Sequence, residues 1–527
     1  MKKTLALLLS AVMLLSLALP AFAQMPTGTF VPIIHVHGLG TAIINEQGED
    51  VYTVNIDKGA IVEQVKAVVP EFLEAMKLKP DDAWTLYRNR VREIVLPCFG
   101  PYFLDKNGEA SDGTHVDWTW EHGNLPDKKG ESGYHYGSYP FYFDWRVDPF
   151  ESAALLNDYV QDVKKATGSD KVNICARCEG GNVLLAYFAQ YGYDDVKCAQ
   201  FYASASKGID LVSALFSGKI SIDADAVRRY QEQNYPVEDP VADELINTLI
   251  ELTGDTFLLD VAAFSLEVFS LVKVYDEVLV PLILETYGTM PGIWSMVDAE
   301  DYATARRNIF KGKEAEYAGL IEKLDHYDTV VRQRADEIVM DAVKAGVKVA
   351  NFAKYGDYQT MPFGKHSNDI GDNTVALSVA SFGATVAKYG KTLSDDYLAN
   401  AAKNGTDRYI SPDRMVDAST CLLPDTTWFI YGNPHSSFQN FIFAYMIRYF
   451  AADGELTVFD DPTFPQYMIA VPDPENPADE QKLVPMTEEN APSFTVEQRN
   501  IHNVDWKDLG LRLLKALWNF LKMLFAK

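Results

Sequence analysis

The stretch that most restricts what this chain can fold into is Lys171-Val-Asn-Ile-Cys-Ala-Arg-Cys178-Glu-Gly-Gly-Asn-Val-Leu-Leu-Ala186. A short apolar run ends in a small residue, a reactive residue and two glycines, and a helical pattern follows at once. This is the spelling of a nucleophile elbow, whose usual form is G-x-S-x-G. Ala176 takes the place of the first glycine, and Cys178 stands where serine is expected. A nucleophile held on a tight strand-to-helix turn needs small residues two before and two after it, and Ala176 and Gly180 meet that demand. The backbone N–H of Glu179 opens the helix, where the dipole favours negative charge, and so is placed to hold an oxyanion. The plain alternative is a glycine-bearing turn with a buried cysteine.

The surrounding pattern favours a parallel sheet. Phe30 to His37 reads as a buried strand ending at Gly38-Leu39-Gly40, and Tyr139 to Trp145 as an aromatic strand. Phe150 to Ala166 reads as an amphipathic helix with Leu155, Tyr159 and Val163 on one face and Gly168 as C-cap. The elbow follows, and then a strand over Val196 to Ala205. Strand–helix–strand at this spacing implies crossovers and an α/β fold with a mostly parallel sheet and helices on both faces. From about Lys207 to Lys323 the pattern turns helical, as in Leu245 to Leu252 and Phe257 to Val274. Strands return at Val347 to Ala353 and Thr426 to Tyr431. The expected organisation is therefore a core of residues 24–206 and 324–470, with a helical cap inserted at 207–323. The proline- and acid-rich stretch 471–505 is expected to be a linker.

At 527 residues and 47% hydrophobic content the chain is long enough for one large domain with an insertion. Lys2, Lys3, the apolar Leu5 to Leu19 and Ala21-Phe22-Ala23 form a secretory signal, residues 1–23, with the mature chain beginning near Gln24. The expected address is therefore secreted or cell-surface associated. The net charge of −27 argues against nucleic acid as a partner. The five cysteines, Cys98, Cys175, Cys178, Cys198 and Cys421, are too few for a disulfide framework, and the odd count leaves at least one free thiol unless pairing is intermolecular. Residues 506–527 form a basic amphipathic helix, with Leu509, Leu513, Leu517, Phe520, Leu521 and Leu524 at helical spacing. Such a segment suits peripheral contact with a membrane, or docking on the chain's own acidic surface.

A cysteine nucleophile needs a base and usually an orienting acid. In the order nucleophile, acid, histidine, the base is His435, which follows the strand-like Thr426 to Tyr431. The acid is Asp372, with Asp369 three residues away as the alternative. A second oxyanion donor is expected after the first strand, where the Leu39 N–H lies between glycines. Two other chemistries are set aside. Cys175 and Cys178 make a C-x-x-C, but Cys175 reads as a core strand residue and Gly180-Gly181 does not suit a redox pair. His115, Asp117, Glu121, His122 and His135 share one loop-like region that reads as solvated rather than metal-binding. Neither a metal nor another cofactor is expected.

These pieces resemble the α/β-hydrolase superfamily, and within it the lipases and the lecithin:cholesterol acyltransferase-like group. The resemblance rests on His37-Gly-Leu-Gly40, Phe143-Asp-Trp-Arg-Val-Asp-Pro149, the elbow, Met290-Pro-Gly-Ile-Trp294 and Gly371-Asp-Asn-Thr-Val375. They are short matches scattered between Val31 and Phe450. The resemblance implies an α/β-hydrolase sheet, Cys178 as nucleophile, Asp372 as acid, His435 as base, and Leu39 and Glu179 as oxyanion donors. It also implies an exported ester hydrolase or acyltransferase, acting on a lipid-like or other apolar ester through a covalent acyl-thioester. Arg177 departs from the histidine usual before the nucleophile, and cysteine departs from serine, although dienelactone hydrolases and polyhydroxyalkanoate synthases also carry cysteine there. The contrasting expectation is a catalytically silent binding protein on the same fold. Oligomeric state is not readable from the sequence.

Overall fold

The structure, a computed structural model, describes residues 31–51, 102–118, 138–220, 275–356, 364–435, 456–474 and 481–492, with a few isolated positions between them. The signal segment 1–23, most of the 221–274 part of the cap and the helix expected at 506–527 lie outside the described residues.

Eight strands form one sheet: β1 (Ile33–Val36), β2 (Ser138–Phe141), β3 (Val172–Arg177), β4 (Val196–Tyr202), β5 (Lys348–Tyr355), β6 (Thr427–Tyr431), β7 (Tyr467–Pro472) and β8 (Gln481–Pro485). The spatial order is β8-β7-β6-β5-β4-β3-β1-β2. Every pairing is parallel except β7 with β8. The fold is thus α/β with a mostly parallel sheet.

Both faces of the sheet are buried, which explains why the strands read as continuous apolar runs rather than as an alternation. Ile34, Val36, Ile174, Ala176, Ala199, Phe201, Val349 and Phe429 belong to one hydrophobic cluster. Their neighbours in sequence, Ile33, Cys175, Cys198, Ala350, Phe352, Trp428 and Ile430, belong to another. The first cluster includes the apolar faces of three helices, α1 (Pro149–Thr167), α2 (Gly180–Tyr191) and α3 (Ala335–Lys344). On the second face Tyr449, Val458 and Phe464 cover the strands.

Helix α1 shows the local rules at work. Asp148 caps it by accepting from the Phe150 N–H at 3.0 Å, Pro149 occupies the first helical position, and Gly168 ends it at φ 69°. The buried face is Ser152, Ala153, Leu156, Tyr159, Val160 and Val163. Leu155, expected on that face, is exposed. A strict spacing of four drifts off a 3.6-residue stripe, and Leu156 holds the core position instead.

Two boundaries differ from expectation. The linker expected at 471–505 contains β8, and the end of β7 enters it. Val471↔Lys482 and Ile469↔Val484 pair antiparallel, so a proline- and acid-rich passage closes the edge of the sheet. Composition could not show this pairing, which depends on β7 as template. The expected cap boundary at Lys323 falls inside the helix Ala318–Val330. The helical pattern continues to Lys344, because α3 is a sheet-covering helix that packs on α2 and β5. Of the insertion itself, the helix Asp210–Ser217 packs against Tyr302–Ile309. The segment 290–295 lies against the elbow. Asn182 of α2 donates to Ser295 Oγ at 2.8 Å, and the Gly292 N–H donates to the Arg146 carbonyl at 3.1 Å. Among the described residues no helix is long and apolar enough to cross a membrane.

Candidate active site

The chain leaves β1 toward one edge, forms β2, then returns to form β3 on the other side of β1. Such a reversal opens a crevice at the carboxyl ends of the strands on either side of it. Gly38 follows β1 and Cys178 follows β3, so both lie at this point. A Cβ built on Gly38 would lie 2.6 Å from Cys178 Cβ and 3.0 Å from the Arg177 carbonyl oxygen. One on Gly180 would lie 2.6 Å from the His37 carbonyl and 2.7 Å from that of Val36. Glycine is required at both places because the first loop and the elbow are in backbone contact. Gly38→Ala is therefore expected to cost about 1–3 kcal/mol in stability and roughly 100-fold in turnover, by displacing the loop from the sulfur. Thermal denaturation and kcat on the purified variant check both.

Cys178 adopts φ 52°, a left-handed conformation that disfavours any residue with a Cβ. The surrounding hydrogen bonds hold it there. Its N–H donates to Tyr202 O at 3.1 Å, and its carbonyl accepts from Gly181 and Ala205, each at 3.1 Å. Its side chain is 6% exposed. Burial alone would raise the thiol pKa, but the His435 cation, a hydrogen bond with that ring and the Glu179 backbone N–H outweigh it and hold the pKa below its ordinary value.

His435 comes from the loop after β6. Its Nδ1 lies 2.7 Å from Asp372 Oδ2, and its backbone N–H donates to the Asp372 carbonyl at 2.7 Å. With Nδ1 on the carboxylate, Nε2 is the ring atom left for the sulfur. Burial opposes protonation of the ring, but the Asp372 carboxylate and the Cys178 thiolate beside it prevail and push its pKa up to about 10. Asp372 is fully buried, and its Oδ1 accepts from the Thr374 and Val375 N–H groups at 3.1 and 2.8 Å. Desolvation works against this carboxylate, while His435, Lys354 and the Val375 amide keep its pKa depressed. Cys178 at the end of β3, Asp372 after the short strand Ile370–Gly371 and His435 after β6 are thus brought together. Asp369, the alternative acid, is committed elsewhere, to His366 Nδ1 at 2.6 Å and Lys388 Nζ at 2.5 Å.

The two expected oxyanion donors also lie here. The Glu179 N–H already points at the sulfur. The Leu39 N–H, next to Gly38, donates to no backbone carbonyl among the described residues. Trp145 Nε1 donates to the Thr41 carbonyl at 3.1 Å and so ties this loop to the segment after β2. Arg146 in that segment is fully buried and satisfied by Asp144, Thr114 and the Tyr102 carbonyl.

Two functional groups were not legible in the sequence. Glu179 entered only for its amide, yet its carboxyl is 1% exposed. Desolvation first, then the charges of Cys178 and Asp144, raise its pKa well above the usual range. Lys354, at the end of β5, is fully buried close to the same residues. The only signal for it was a lysine interrupting an apolar strand.

The other sites considered resolve differently. Cys175 is buried in β3 and burial pushes its thiol pKa far up, away from reactivity. Cys175, Cys178, Cys198 and Cys421 are all free thiols. His115 Nδ1 donates to the Gly113 carbonyl at 3.1 Å, while Glu121, His122 and His135 lie outside the described residues. Among the described residues, the carboxylates of Asp298, Glu300 and Asp301 approach within 4.8 Å of one another. They face ammonium groups rather than an open position: Lys365 sits on Asp298 and Glu300, and Lys219 on Asp301. No protein-family model and no curated protein matches the chain, so its chemistry is read from the geometry of these residues.

Proposed function

We propose that this protein is an exported ester hydrolase or acyltransferase of the α/β-hydrolase type, acting through a thioester on Cys178. The observation that carries the reading is Cys178 at φ 52° on a strand-to-helix turn, its thiol pKa held down against burial by the adjacent His435, whose Nδ1 sits 2.7 Å from a buried carboxylate. A merely structural cysteine needs neither the strained turn nor the ionised partner.

In this reading the thiolate attacks the acyl carbonyl carbon. The negative charge that develops on the carbonyl oxygen is held by the Leu39 and Glu179 N–H groups. The His435 cation gives its Nε2 proton to the departing alkoxide, leaving a neutral imidazole and an acyl-thioester. The imidazole then takes a proton from water or an acceptor alcohol, which attacks the thioester carbonyl. Collapse expels the thiolate and restores the pair. Asp372 stays ionised throughout, orients the ring and stabilises its cationic form.

A lipid-like or other apolar acyl group is the proposed substrate class. Support comes from the Met290-Pro-Gly-Ile-Trp294 and His37-Gly-Leu-Gly40 pieces, whose spellings resemble lipases and which both lie against the elbow. The leader at 1–23 supports export, and the basic tail at 506–527 supports peripheral contact with an anionic surface.

Incubation with p-nitrophenyl esters of increasing chain length, followed by mass spectrometry of the peptide bearing Cys178, tests the reading. The expected result is turnover with a mass increment equal to the acyl group on Cys178 alone. Neither turnover nor adduct with any chain length, in a protein whose Cys178 still alkylates readily, would favour a binding role instead.

A further inference from the structure

The last residue but one of β5 is a lysine that the reaction above does not use. Lys354 is fully buried, and alternation along β5 puts it on the same face as Ala350 and Phe352. Its Nζ donates to the backbone carbonyl of His435 at 3.1 Å and stands 5.0 Å from the centre of the Tyr202 ring on β4. A long charged side chain is almost never fully buried without a specific partner. Here the partners are the main chain of the base and the face of an aromatic ring.

We infer that Lys354 is a positioning residue for this site: its ammonium group clamps the His435 loop through the carbonyl oxygen and places a positive charge beside Asp372 and Cys178. The inference rests on the proposed thiolate–imidazolium mechanism and says which additional group maintains it.

The geometry explains why a lysine is suited to the place. His435 is held by Asp372 at both its ring and its backbone N–H, which leaves its carbonyl oxygen to be fixed. The Lys354 hydrogen bond supplies that hold at the His435 carbonyl oxygen. The charges facing Lys354 are Asp372 from the loop after β5, Arg177 and Cys178 from the end of β3, and His435 itself. Burial opposes its charge most strongly, Asp372 and the thiolate support it, and Arg177 opposes it. The balance leaves its pKa near 7, so the clamp is partly cationic at neutral pH and becomes fully cationic as the pH falls. A neutral amine would keep the hydrogen bond but lose the charge.

Lys354→Met keeps the length of the stem and removes both donor and charge. Lys354→Gln removes the charge and keeps an N–H donor. Two measurements separate their effects: kcat and KM with a p-nitrophenyl ester, and the pH dependence of Cys178 alkylation by iodoacetamide, followed by the mass of the Cys178 peptide. In Lys354→Met we expect kcat to fall at least about tenfold with KM within about twofold of wild type. The midpoint of alkylation should rise by about one pH unit, because the thiolate loses a nearby cation. In Lys354→Gln the midpoint should rise similarly while kcat recovers in part. Should Lys354→Met not fold, Lys354→Gln alone decides. An alkylation midpoint unchanged from wild type in a folded variant overturns the inference, as does a loss confined to KM. Failure of the wild-type protein to turn over any ester would instead count against the proposed function, since the alkylation readout needs no substrate.

Discussion

Cys178→Ala is expected to remove ester turnover almost entirely, by a factor on the order of 10⁵–10⁶, with the melting temperature little changed. The size of the loss follows from the route. Without the sulfur no thioester forms, and the remaining oxyanion donors and histidine can only assist direct attack by water, which typically retains a small residue of catalysis. Cys178→Ser is a sharper test of the ion pair. A serine hydroxyl ionises far less readily than a thiol, and a histidine held largely cationic by Asp372 is a poor base for it. The serine variant should therefore be nearly as inactive as the alanine variant, although serine is the usual residue at such a turn. Steady-state kinetics with a short-chain ester measure both. Turnover within tenfold of wild type in Cys178→Ala would show that the chemistry lies elsewhere.

The second large effect is expected at Asp372. Asp372→Asn keeps the shape of the buried side chain but removes the charge that holds His435 cationic and fixes its tautomer, so kcat should fall by roughly 10³–10⁴. The signs of the linked titrations are definite. The Cys178 pKa is depressed, so the thiolate persists below the ordinary thiol value of 9.0 and is lost as pH falls through the lowered value. In His435→Ala the main support is gone, and only the Glu179 N–H and Arg177 still oppose burial. The alkylation midpoint should then move above 9, which a rate–pH profile reads directly. Stability follows the same logic from the other two partners. Asp372 contributes above the ordinary carboxylate value of 3.8, and this is lost as pH falls through its depressed folded value. His435 contributes fully below its ordinary 6.5, and this is lost as pH rises through about 10. Melting temperature against pH in wild type and Asp372→Asn separates the two limbs. Identical curves would mean that the pair contributes nothing to folding.

Much of the site was legible because its parts are local. A strand, a turn and a helix announce themselves within sixteen residues around Cys178, and the small neighbours Ala176 and Gly180 are dictated by the turn itself. The order nucleophile, acid, base and the glycines of His37-Gly-Leu-Gly40 are likewise properties of short segments. The edge strand at Gln481–Pro485 was not legible, because the prolines and acids around it suit a linker and only pairing with β7 makes it a strand. The exposed Leu155 shows the same limit on a smaller scale, since one position of drift decides which leucine meets the core.

The amino-acid sequence by itself determined the α/β class, the strand–helix alternation and the short list of groups able to do acyl chemistry. Only the tertiary structure decided which of them act together. Asp369 and Asp372 share one loop and one chemistry, and they differ because Asp369 meets His366 and Lys388 while Asp372 meets His435. Glu179 and Lys354 are ordinary ionisable residues in the sequence. Burial beside Cys178 raises the carboxyl pKa of the first well above its usual range and lowers that of the second to about 7. Charge in a folded protein depends on what lies within a few ångströms and on how much water remains. Both are set by segments far apart in the chain, so neither can be read along it.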